Sequence, residues 1–142
     1  NELSVMGLPV PKPIGARVKK SGVTYTADLI TIEIENSKTL SEIIIDDDAD
    51  NNVWKAIGKC LHLFNNKEIY HPDLNTNNIL IDDELNVYLI DFDTSSRLHQ
   101  KISSKKTMLD RFKRSLKKTY KKRNKTFSES DWNIILSHSS ID

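Results

Sequence analysis

The sequence contains few of the residues that build disulfide frameworks, flexible loops or membrane spans. Its single cysteine, Cys60, excludes an internal disulfide and is typical of a cytosolic protein. Its four glycines stand apart from one another, and no apolar run approaches the roughly 20 residues that cross a bilayer. Apolar residues make up 37% of the chain and charged residues 29%, which predicts a globular protein rather than a disordered one.

Acidic residues are scarce in the last third of the chain, although the net charge of the whole is only +1. Residues 1–96 hold 8 Lys and Arg against 16 Asp and Glu, whereas residues 97–142 hold 13 against 4. Twelve of these 13 basic residues lie between Lys101 and Lys125. Such a block forms either an ordinary solvated face or a surface for an anionic partner, which would be nucleic acid, phospholipid headgroups or a phosphorylated glycolipid.

The first 50 residues alternate between β-rich and polar segments. Prolines at positions 9, 11 and 13 exclude a helix there. Segments 14–18 and 25–34 predict two strands joined by a turn at Ser21-Gly22, and the second strand is rich enough in β-branched residues to be buried. A polar break, ENSK, follows, and a short helix is predicted from Leu40.

Helical spacing governs most of the remaining chain. Asp50 is a good N-cap for an amphipathic helix that ends at Asn65-Asn66, with Cys60 on its apolar stripe and His62 off that stripe on the solvated side. A basic amphipathic helix and a last helix N-capped by Ser128 or Ser130 are predicted near the C-terminus.

Between these helices lies the stretch IYHPDLNTNNILIDDELNVYLIDFD, in which polar residues interrupt segments that are apolar enough to be buried. Segments 79–81 and 87–90 flank DDELN and predict a β-hairpin, which brings Asn78 and Asp91 to the same end. Neighbouring oxygen ligands of this kind suit Mg²⁺, which is often held by one or two carboxylates together with waters and nucleotide phosphates. This reasoning assigns Asn78 and Asp91 to metal and leaves Asp73 free to accept a proton.

The same residues carry a family resemblance. The order His71-x-Asp73-Leu74-x-x-x-Asn78, followed by Asp91-Phe92, resembles the catalytic loop and metal-binding loop of the protein-kinase-like fold. More closely, HPDLNTNNILID, VYLIDFD, GLPVPKPIGARV and ADLITIEI are similar to the 3-deoxy-D-manno-octulosonic acid (Kdo) kinases of the lipopolysaccharide kinase family. The likeness covers nearly the whole chain, and includes Arg111, Arg114 and Ser115 in the tail.

This resemblance implies an enzyme that transfers the γ-phosphate of ATP, with Mg²⁺, to the 4-hydroxyl of Kdo on Kdo-lipid A. Three alternatives remain open: a heptose kinase of the lipopolysaccharide core, an atypical RIO-like protein kinase, or an inactive kinase-like binding module. The implied partners are Kdo-lipid A and an anionic membrane, with no nucleic acid, at the cytoplasmic face of the bacterial inner membrane.

The resemblance also implies a role for each matching residue. Asp73 would orient the acceptor hydroxyl and accept its proton, His71 would support the loop through hydrogen bonds, and Asn75 would suit a non-protein substrate. Asp93, in place of a usual glycine, would be either a further metal residue or a stiffener of its loop. The remaining assignments are Asn78 and Asp91 to metal, Glu33 and Ile34 to an adenine-binding hinge, and Leu80 and Ile90 to the adenine pocket.

The predicted architecture is α+β, a protein-kinase-like fold made mainly of the helical C-lobe. Residues 1–36 would be the last strands and hinge of the N-lobe, and residues 37–142 the C-lobe. No glycine-rich loop or ATP-binding lysine strand is found, so we expect the start of the N-lobe to be absent and this chain alone to be inactive. The basic segment is expected to bind membrane or anionic substrate, through Lys113, Lys117 and Lys121.

Overall fold

The computed structural model describes residues 2–22, 24–92 and 105–140. Within these ranges the chain forms helices and two small antiparallel sheets, so the predicted α+β class is confirmed. In chain order the elements are α1 (Glu2–Val5), β1 (Pro13–Ser21), β2 (Thr24–Thr31), β3 (Ser37–Thr39), α2 (Leu40–Asp46), α3 (Asn51–Asn65), β4 (Ile79–Asp82), β5 (Val87–Leu89), α4 (Lys105–Lys121) and α5 (Glu129–Ser139).

The predicted N-terminal hairpin is present as a two-stranded sheet of β1 and β2. Gly22 in its turn has a φ of 62°, a conformation that glycine adopts without steric cost. The second strand ends at Thr31 rather than at residue 34, and Ile30 and Ile32 are 52% and 47% exposed. The prediction of a buried strand is therefore wrong for these two residues, because no other described strand joins this hairpin.

The second sheet has the order β3-β4-β5. It contains the predicted hairpin, in which β4 is the central strand and β5 is an edge strand. β3 was not predicted, because two of its three residues, Ser37 and Lys38, lie in the segment interpreted as a polar break. Ser37 pairs with Asp82 and Thr39 with Leu80, so pairing with β4 rather than any apolar pattern makes this segment a strand. The two sheets fall on either side of the predicted boundary at residue 36, and that division stays a prediction.

Side-chain caps fix the starts of α2 and α3. Thr39 and Glu42 form a capping box at α2, in which each side chain satisfies a backbone N–H of the other. Asp50 accepts hydrogen bonds from the backbone N–H groups of Asn52 and Val53, as predicted for the N-cap of α3. Ser128 caps α5 in the same way, through the N–H of Ser130.

The core is built around α3, whose predicted apolar stripe is buried. Cys60 is buried at 4% exposure, which confirms its predicted place on the apolar stripe, and burial raises the pKa of its thiol to about 12. Near the N-terminus, Leu8 joins the same core, and the Pro9 carbonyl accepts a hydrogen bond of 3.0 Å from the Leu89 N–H. The largest fully buried side chains are Trp54, Phe64, Phe112, Leu40, Ile44, Ile57, Leu61, Leu74, Ile79, Leu89, Leu116 and Ile135.

His62 departs from its prediction. Its side chain is half-buried rather than solvated, and it lines a cavity of about 660 Å³ between α3 and the β4–β5 hairpin. Its Nε2 lies 2.9 Å from the Asn66 amide nitrogen, while its Nδ1 is buried without a hydrogen-bond partner among the described residues. The apolar stripe of one helix does not show which other elements cover the rest of that helix, and this is why the prediction was wrong.

Gly58 tests the packing of α3 against α5. A Cβ added at Gly58 would lie 2.6 Å from the His138 Cβ and 2.7 Å from the Ile135 carbonyl oxygen, so the helices would have to move apart. We expect Gly58→Ala to lower the free energy of unfolding by about 1–3 kcal/mol, because of overpacking. Urea unfolding measures this change.

The sign of the effect makes the test decisive. Replacing glycine by alanine in an exposed helix interior stabilises by about 1 kcal/mol, so a stabilised Gly58→Ala variant would contradict the described packing. Lys59→Ala, at the exposed neighbouring position, is the matched control and should change stability little.

Candidate active site

Residues 71–78 form the loop that leads from α3 into β4, and they carry most of the predicted site residues. Leu74 in the middle of the loop is fully buried, which anchors the loop to the core. On either side of it, Asp73 and Asn77 are exposed, whereas His71, Thr76 and Asn78 are buried. The loop therefore has an anchored backbone and presents a carboxylate to solvent.

His71 connects this loop to the end of β5. Its Nε2 lies 2.8 Å from the carbonyl oxygen of Ile90, which can only accept a hydrogen bond, so Nε2 carries the proton. Its Nδ1 accepts a hydrogen bond of 3.1 Å from the Asp73 N–H. Burial lowers the pKa of His71 below its ordinary value, which keeps the ring neutral with both nitrogens engaged. This is the arrangement that a supporting role requires, and a proton-transfer role would break it.

Asn78 holds the Asp73 backbone from the other side. Its side-chain amide donates a hydrogen bond of 3.0 Å to the Asp73 carbonyl, and Asn75 donates another of 3.0 Å to the same oxygen. Because the amide nitrogen of Asn78 is used in this way, its Oδ1 is left as the acceptor end of the side chain. The Asn78 carbonyl also accepts a 3.0 Å hydrogen bond from the Ile90 N–H, which places Asn78 beside the end of β5.

Asp91 is the residue after Ile90, and it lies near Asn78 as the predicted hairpin requires. Ile79 pairs with Leu89, so Asn78 and the segment that contains Asp91 lie at one end of the β4–β5 ladder. Asp91 is exposed and has a φ of 63°, a left-handed conformation that costs about 1 kcal/mol for a residue other than glycine. Phe92 packs against the rings of His71 and Phe64, with centroid distances of 4.3 Å and 5.6 Å. These contacts hold the backbone around Asp91 in place despite its conformational cost.

The residues present fit a metal of the magnesium type. Asn78 Oδ1 and the Asp91 carboxylate are oxygen donors at one end of the hairpin, and Asp91 has no ion pair with any other described residue. Within residues 2–22, 24–92 and 105–140 no group of three His, Cys, Asp or Glu side chains could hold a metal. A site of one carboxylate and one amide would therefore rely on waters and phosphates for its other ligands, as Mg²⁺ sites commonly do.

Helix α4 contacts the loop through polar side chains whose roles the sequence did not indicate. Arg111 Nη1 lies 2.7 Å from Asp73 Oδ1, so a guanidinium pairs with the predicted proton acceptor. One turn further, Ser115 Oγ accepts a 3.0 Å hydrogen bond from the Thr76 N–H. Two signals were available: the family resemblance, which includes Arg111 and Ser115, and helical spacing, since Arg111, Ser115 and Thr119 are four residues apart and share one face.

The hydroxyl groups of Thr76, Ser115 and Thr119 satisfy one another. Thr119 donates to the Ser115 carbonyl at 3.1 Å, so it must accept from Thr76 in their 2.9 Å contact. Thr76 in turn accepts from Ser115 at 3.2 Å, because its own proton is already used. This ring of hydrogen bonds joins α4 to the loop and leaves none of its hydroxyl protons for a ligand.

The predicted adenine-binding residues lie in two separate segments of the chain. Leu80 on β4 and Ile90 beyond β5 are half-buried close to the loop, whereas Glu33 and Ile34 lie between β2 and β3. The Ile34 carbonyl accepts a hydrogen bond of 2.7 Å from the Ser37 hydroxyl. No hydrogen bond among the described residues connects Glu33 or Ile34 to Leu80 or Ile90. Asp93 lies outside the residues that the structure describes.

Two of the three lysines predicted to bind an anionic surface have an intramolecular partner. Lys113 and Lys117 both pair with Glu129 on α5, and Lys113 also lies 5.2 Å from the centre of the Trp132 ring. Lys121 is exposed and has no ion pair among the described residues. No described helix is both long and apolar enough to span a bilayer.

Comparison with known protein families assigns the chain to one of them. The family model described as "Lipopolysaccharide kinase (Kdo/WaaP) family" matches residues 1–138. The chain belongs to the lipopolysaccharide kinase (Kdo/WaaP) family. This membership confirms the predicted resemblance and, with it, the protein-kinase-like fold.

Curated relatives in the lipopolysaccharide kinase family carry the name 3-deoxy-D-manno-octulosonic acid kinase. Those of Vibrio parahaemolyticus and Photobacterium profundum are 39% and 35% identical over 91% and 94% of this chain, and over 54% and 56% of their own lengths. The relative from Vibrio cholerae is 36% identical over 97% of this chain and 58% of its own length. The chain thus spans little more than half the length of the curated relatives it matches.

The neutral state of His71 predicts a pH dependence of stability. The pKa of histidine is near 6.5 in the unfolded chain, and the pKa of His71 in the folded chain is lower. At pH values between these two pKa values, the unfolded state therefore binds more protons than the folded state. The stabilisation is complete above pH 6.5 and is lost as the pH falls through the lower, folded-state pKa. We expect unfolding free energy to fall by up to about 1.4 kcal/mol per pH unit in that window.

Urea unfolding between pH 5 and 7.5 measures the slope, and His71→Gln should be less stable at neutral pH and show a flatter profile. The same slope in the variant and the parent chain would contradict a neutral, buried His71.

Proposed function

We propose that this chain carries the acid–base and metal-binding part of a kinase that transfers the γ-phosphate of ATP to the 4-hydroxyl of Kdo on Kdo-lipid A. The observation that carries the proposal is the hydrogen-bonded arrangement of His71, Asp73 and Asn78 with Ile90, beside Asp91. The names of the curated relatives support Kdo as the acceptor, and family membership favours a lipopolysaccharide sugar over a protein substrate.

Asp73 is the proposed proton acceptor. Its carboxylate is exposed at the end of a loop whose backbone is held by Asn75, Asn78 and His71, so it is accessible to an acceptor hydroxyl. The hydroxyl oxygen forms a bond to the γ-phosphorus, the bond from that phosphorus to the bridging oxygen of ADP breaks, and the hydroxyl proton passes to Asp73. Arg111 orients the Asp73 carboxylate before the acceptor binds.

Asn78 and Asp91 are the proposed ligands of Mg²⁺. A bound Mg²⁺ would neutralise negative charge on the nucleotide phosphates. Asn78 keeps its Oδ1 in a fixed direction because its amide nitrogen donates to the Asp73 carbonyl. Asp91 is fixed by its strained backbone and by the packing of Phe92. Asp93 remains a proposed further metal residue or a stiffener of its loop.

The adenine assignments are retained as part of the proposal. Leu80 and Ile90 would line one wall of the adenine pocket, which their half-buried positions near Asn78 support. Glu33 and Ile34 would provide backbone groups for the adenine edge from the segment between the two sheets. We expect phosphotransfer to require a longer polypeptide, since the chain spans about half the length of its curated relatives.

Paired substitutions separate the two proposed roles. Asp91→Asn should weaken Mg²⁺-dependent ATP binding by tenfold or more, because one metal ligand loses its charge. A tenfold loss of affinity corresponds to about 1.4 kcal/mol. Asp73→Asn should leave ATP binding unchanged and abolish most phosphotransfer, at least about a hundredfold. Titration calorimetry on this chain measures binding, and phosphotransfer is measured in the full-length protein that contains it.

Asp83→Asn, an exposed carboxylate in the turn of the same hairpin, is the control for the loss of one negative charge. Equal ATP binding by the Asp91→Asn and Asp83→Asn variants would sink the metal assignment. Full transfer activity in Asp73→Asn would remove Asp73 from the mechanism. Replacing Kdo by heptose as acceptor distinguishes the second sugar kinase that the sequence left open.

We also propose peripheral binding to an anionic membrane at the cytoplasmic face of the inner membrane, through Lys113, Lys117 and Lys121 on α4. An exposed ion pair is worth at most about 1 kcal/mol, so Glu129 does not prevent Lys113 and Lys117 from engaging lipid headgroups. The attraction of each lysine to an anionic membrane surface is also worth about 1 kcal/mol, which is comparable to the energy of the ion pair.

Charge reversal at these three lysines should therefore reduce liposome binding by tenfold or more, and binding of the parent chain should fall as salt is raised. Sedimentation with vesicles that contain anionic lipid measures both effects. Vesicles of neutral lipid are the control. If the triple variant sediments like the parent chain, α4 does not contact the membrane by this face.

A further inference from the structure

A polar cavity of about 200 Å³ lies between the loop and the C-terminal half of α4. Its lining contains two lysines, four residues with hydroxyl groups and two asparagines, and it contains no carboxylate. The lysines are Lys118 and Lys122, which lie one turn apart on the same face of the helix and its terminal turn. A cavity with this lining is suited to a negatively charged group that can accept several hydrogen bonds.

The lysines of this cavity have no partner within the described residues. Three nearby lysines on α4 and in the turn after it do have an acidic partner. Lys113 and Lys117 pair with Glu129, and Lys125 pairs with Asp47. Lys118 and Lys122 repel each other at this spacing unless a negative charge lies between them. An anion in the cavity would remove that repulsion.

The hydroxyl groups show which donors a ligand would meet. Thr76, Ser115 and Thr119 use their protons within their own ring, so they shape the wall without contributing donors. Ser41 is buried, at 7% exposure, and lines the cavity beside these residues. The side chains of Lys118, Lys122 and Asn77, which carry N–H donors, line the same small volume.

The position of the cavity identifies the substrate that would fill it. Asn75 lines the cavity and also donates to the Asp73 carboxylate, at 3.3 Å, so the cavity adjoins the residue that faces the acceptor hydroxyl. The proposed metal ligands Asn78 and Asp91 do not line it, which separates it from the nucleotide phosphates.

We propose that this cavity binds a phosphate or carboxylate group of the acceptor glycolipid and so positions its hydroxyl for Asp73. This assignment rests on the proposed function, and it names the part of the chain that selects an anionic acceptor. At roughly 100° per residue, Lys118 and Lys122 lie on the helix face next to the one that carries Lys113, Lys117 and Lys121, so the cavity uses different lysines from the proposed membrane face.

Amide chemical shifts of the ¹⁵N-labelled chain test the site, with glucosamine 1-phosphate as a soluble probe of a sugar phosphate. The probe should shift the amides of Asn77, Ser115 and Thr119, and Lys118→Gln with Lys122→Gln should weaken its binding by about tenfold per lysine. Lys118→Arg with Lys122→Arg should retain binding, and thermal unfolding shows whether each variant is folded. Lys55→Gln with Lys59→Gln, an exposed pair at the same spacing on α3, is the matched control.

The outcomes separate this site from the proposed function. Equal binding by the Lys118→Gln, Lys122→Gln variant and the control would overturn the site. Stronger binding of inorganic phosphate than of the sugar phosphate would assign the cavity to a free ion, and competition by Mg–ATP would assign it to the nucleotide; either result overturns the acceptor assignment. If the full-length protein that contains this chain binds the sugar phosphate but not Mg–ATP, the result would support the site and overturn the proposed kinase function.

Discussion

The candidate site depends on the hydrogen bonds of one buried imidazole. His71 donates to the Ile90 carbonyl and accepts from the Asp73 N–H, so a single rigid ring sets the distance between the loop and the end of β5. A buried polar ring is stable there only because both nitrogens have partners, since an unpaired one would cost about 1–3 kcal/mol. The carboxylate of Asp73, the amide of Asn78 and the strained Asp91 backbone are all placed relative to that ring.

Helix α4 contributes to the site in ways that its basic composition alone did not reveal. One face packs into the core through Met108, Phe112 and Leu116. An adjoining polar face contacts the loop through Arg111, Ser115 and Thr119. The segment that the sequence analysis interpreted as either a solvated face or an anion-binding surface is therefore also a structural support of the loop.

The local part of the site could be predicted from the sequence. Asn78 and Asp91 are predicted to share one end because two short apolar segments around a turn define a hairpin, and a hairpin fixes which residues share an end. The caps Asp50 and Ser128 followed from residue type and the apolar periodicity beyond them. Each of these inferences uses contacts between residues that are close in sequence.

The features that were not predicted depend on contacts between residues that are far apart in sequence. β3 is a strand only because it pairs with β4, more than 40 residues later, and His62 is half-buried because the β4–β5 hairpin lies beside its helix. The link between Arg111 and Asp73 spans 38 positions, and no local pattern indicates which basic residue of the block makes it.

The sequence by itself determined the family, the secondary structure near the site and the residue types available for proton transfer and metal binding, because these depend on local spacing and on motifs. Only the tertiary structure decided which lysines have acidic partners, which hydroxyl protons are used, and where a polar cavity lies beside Asp73. These properties arise when distant segments pack together, because hydrogen bonds and ion pairs depend on distances that the order of residues does not specify.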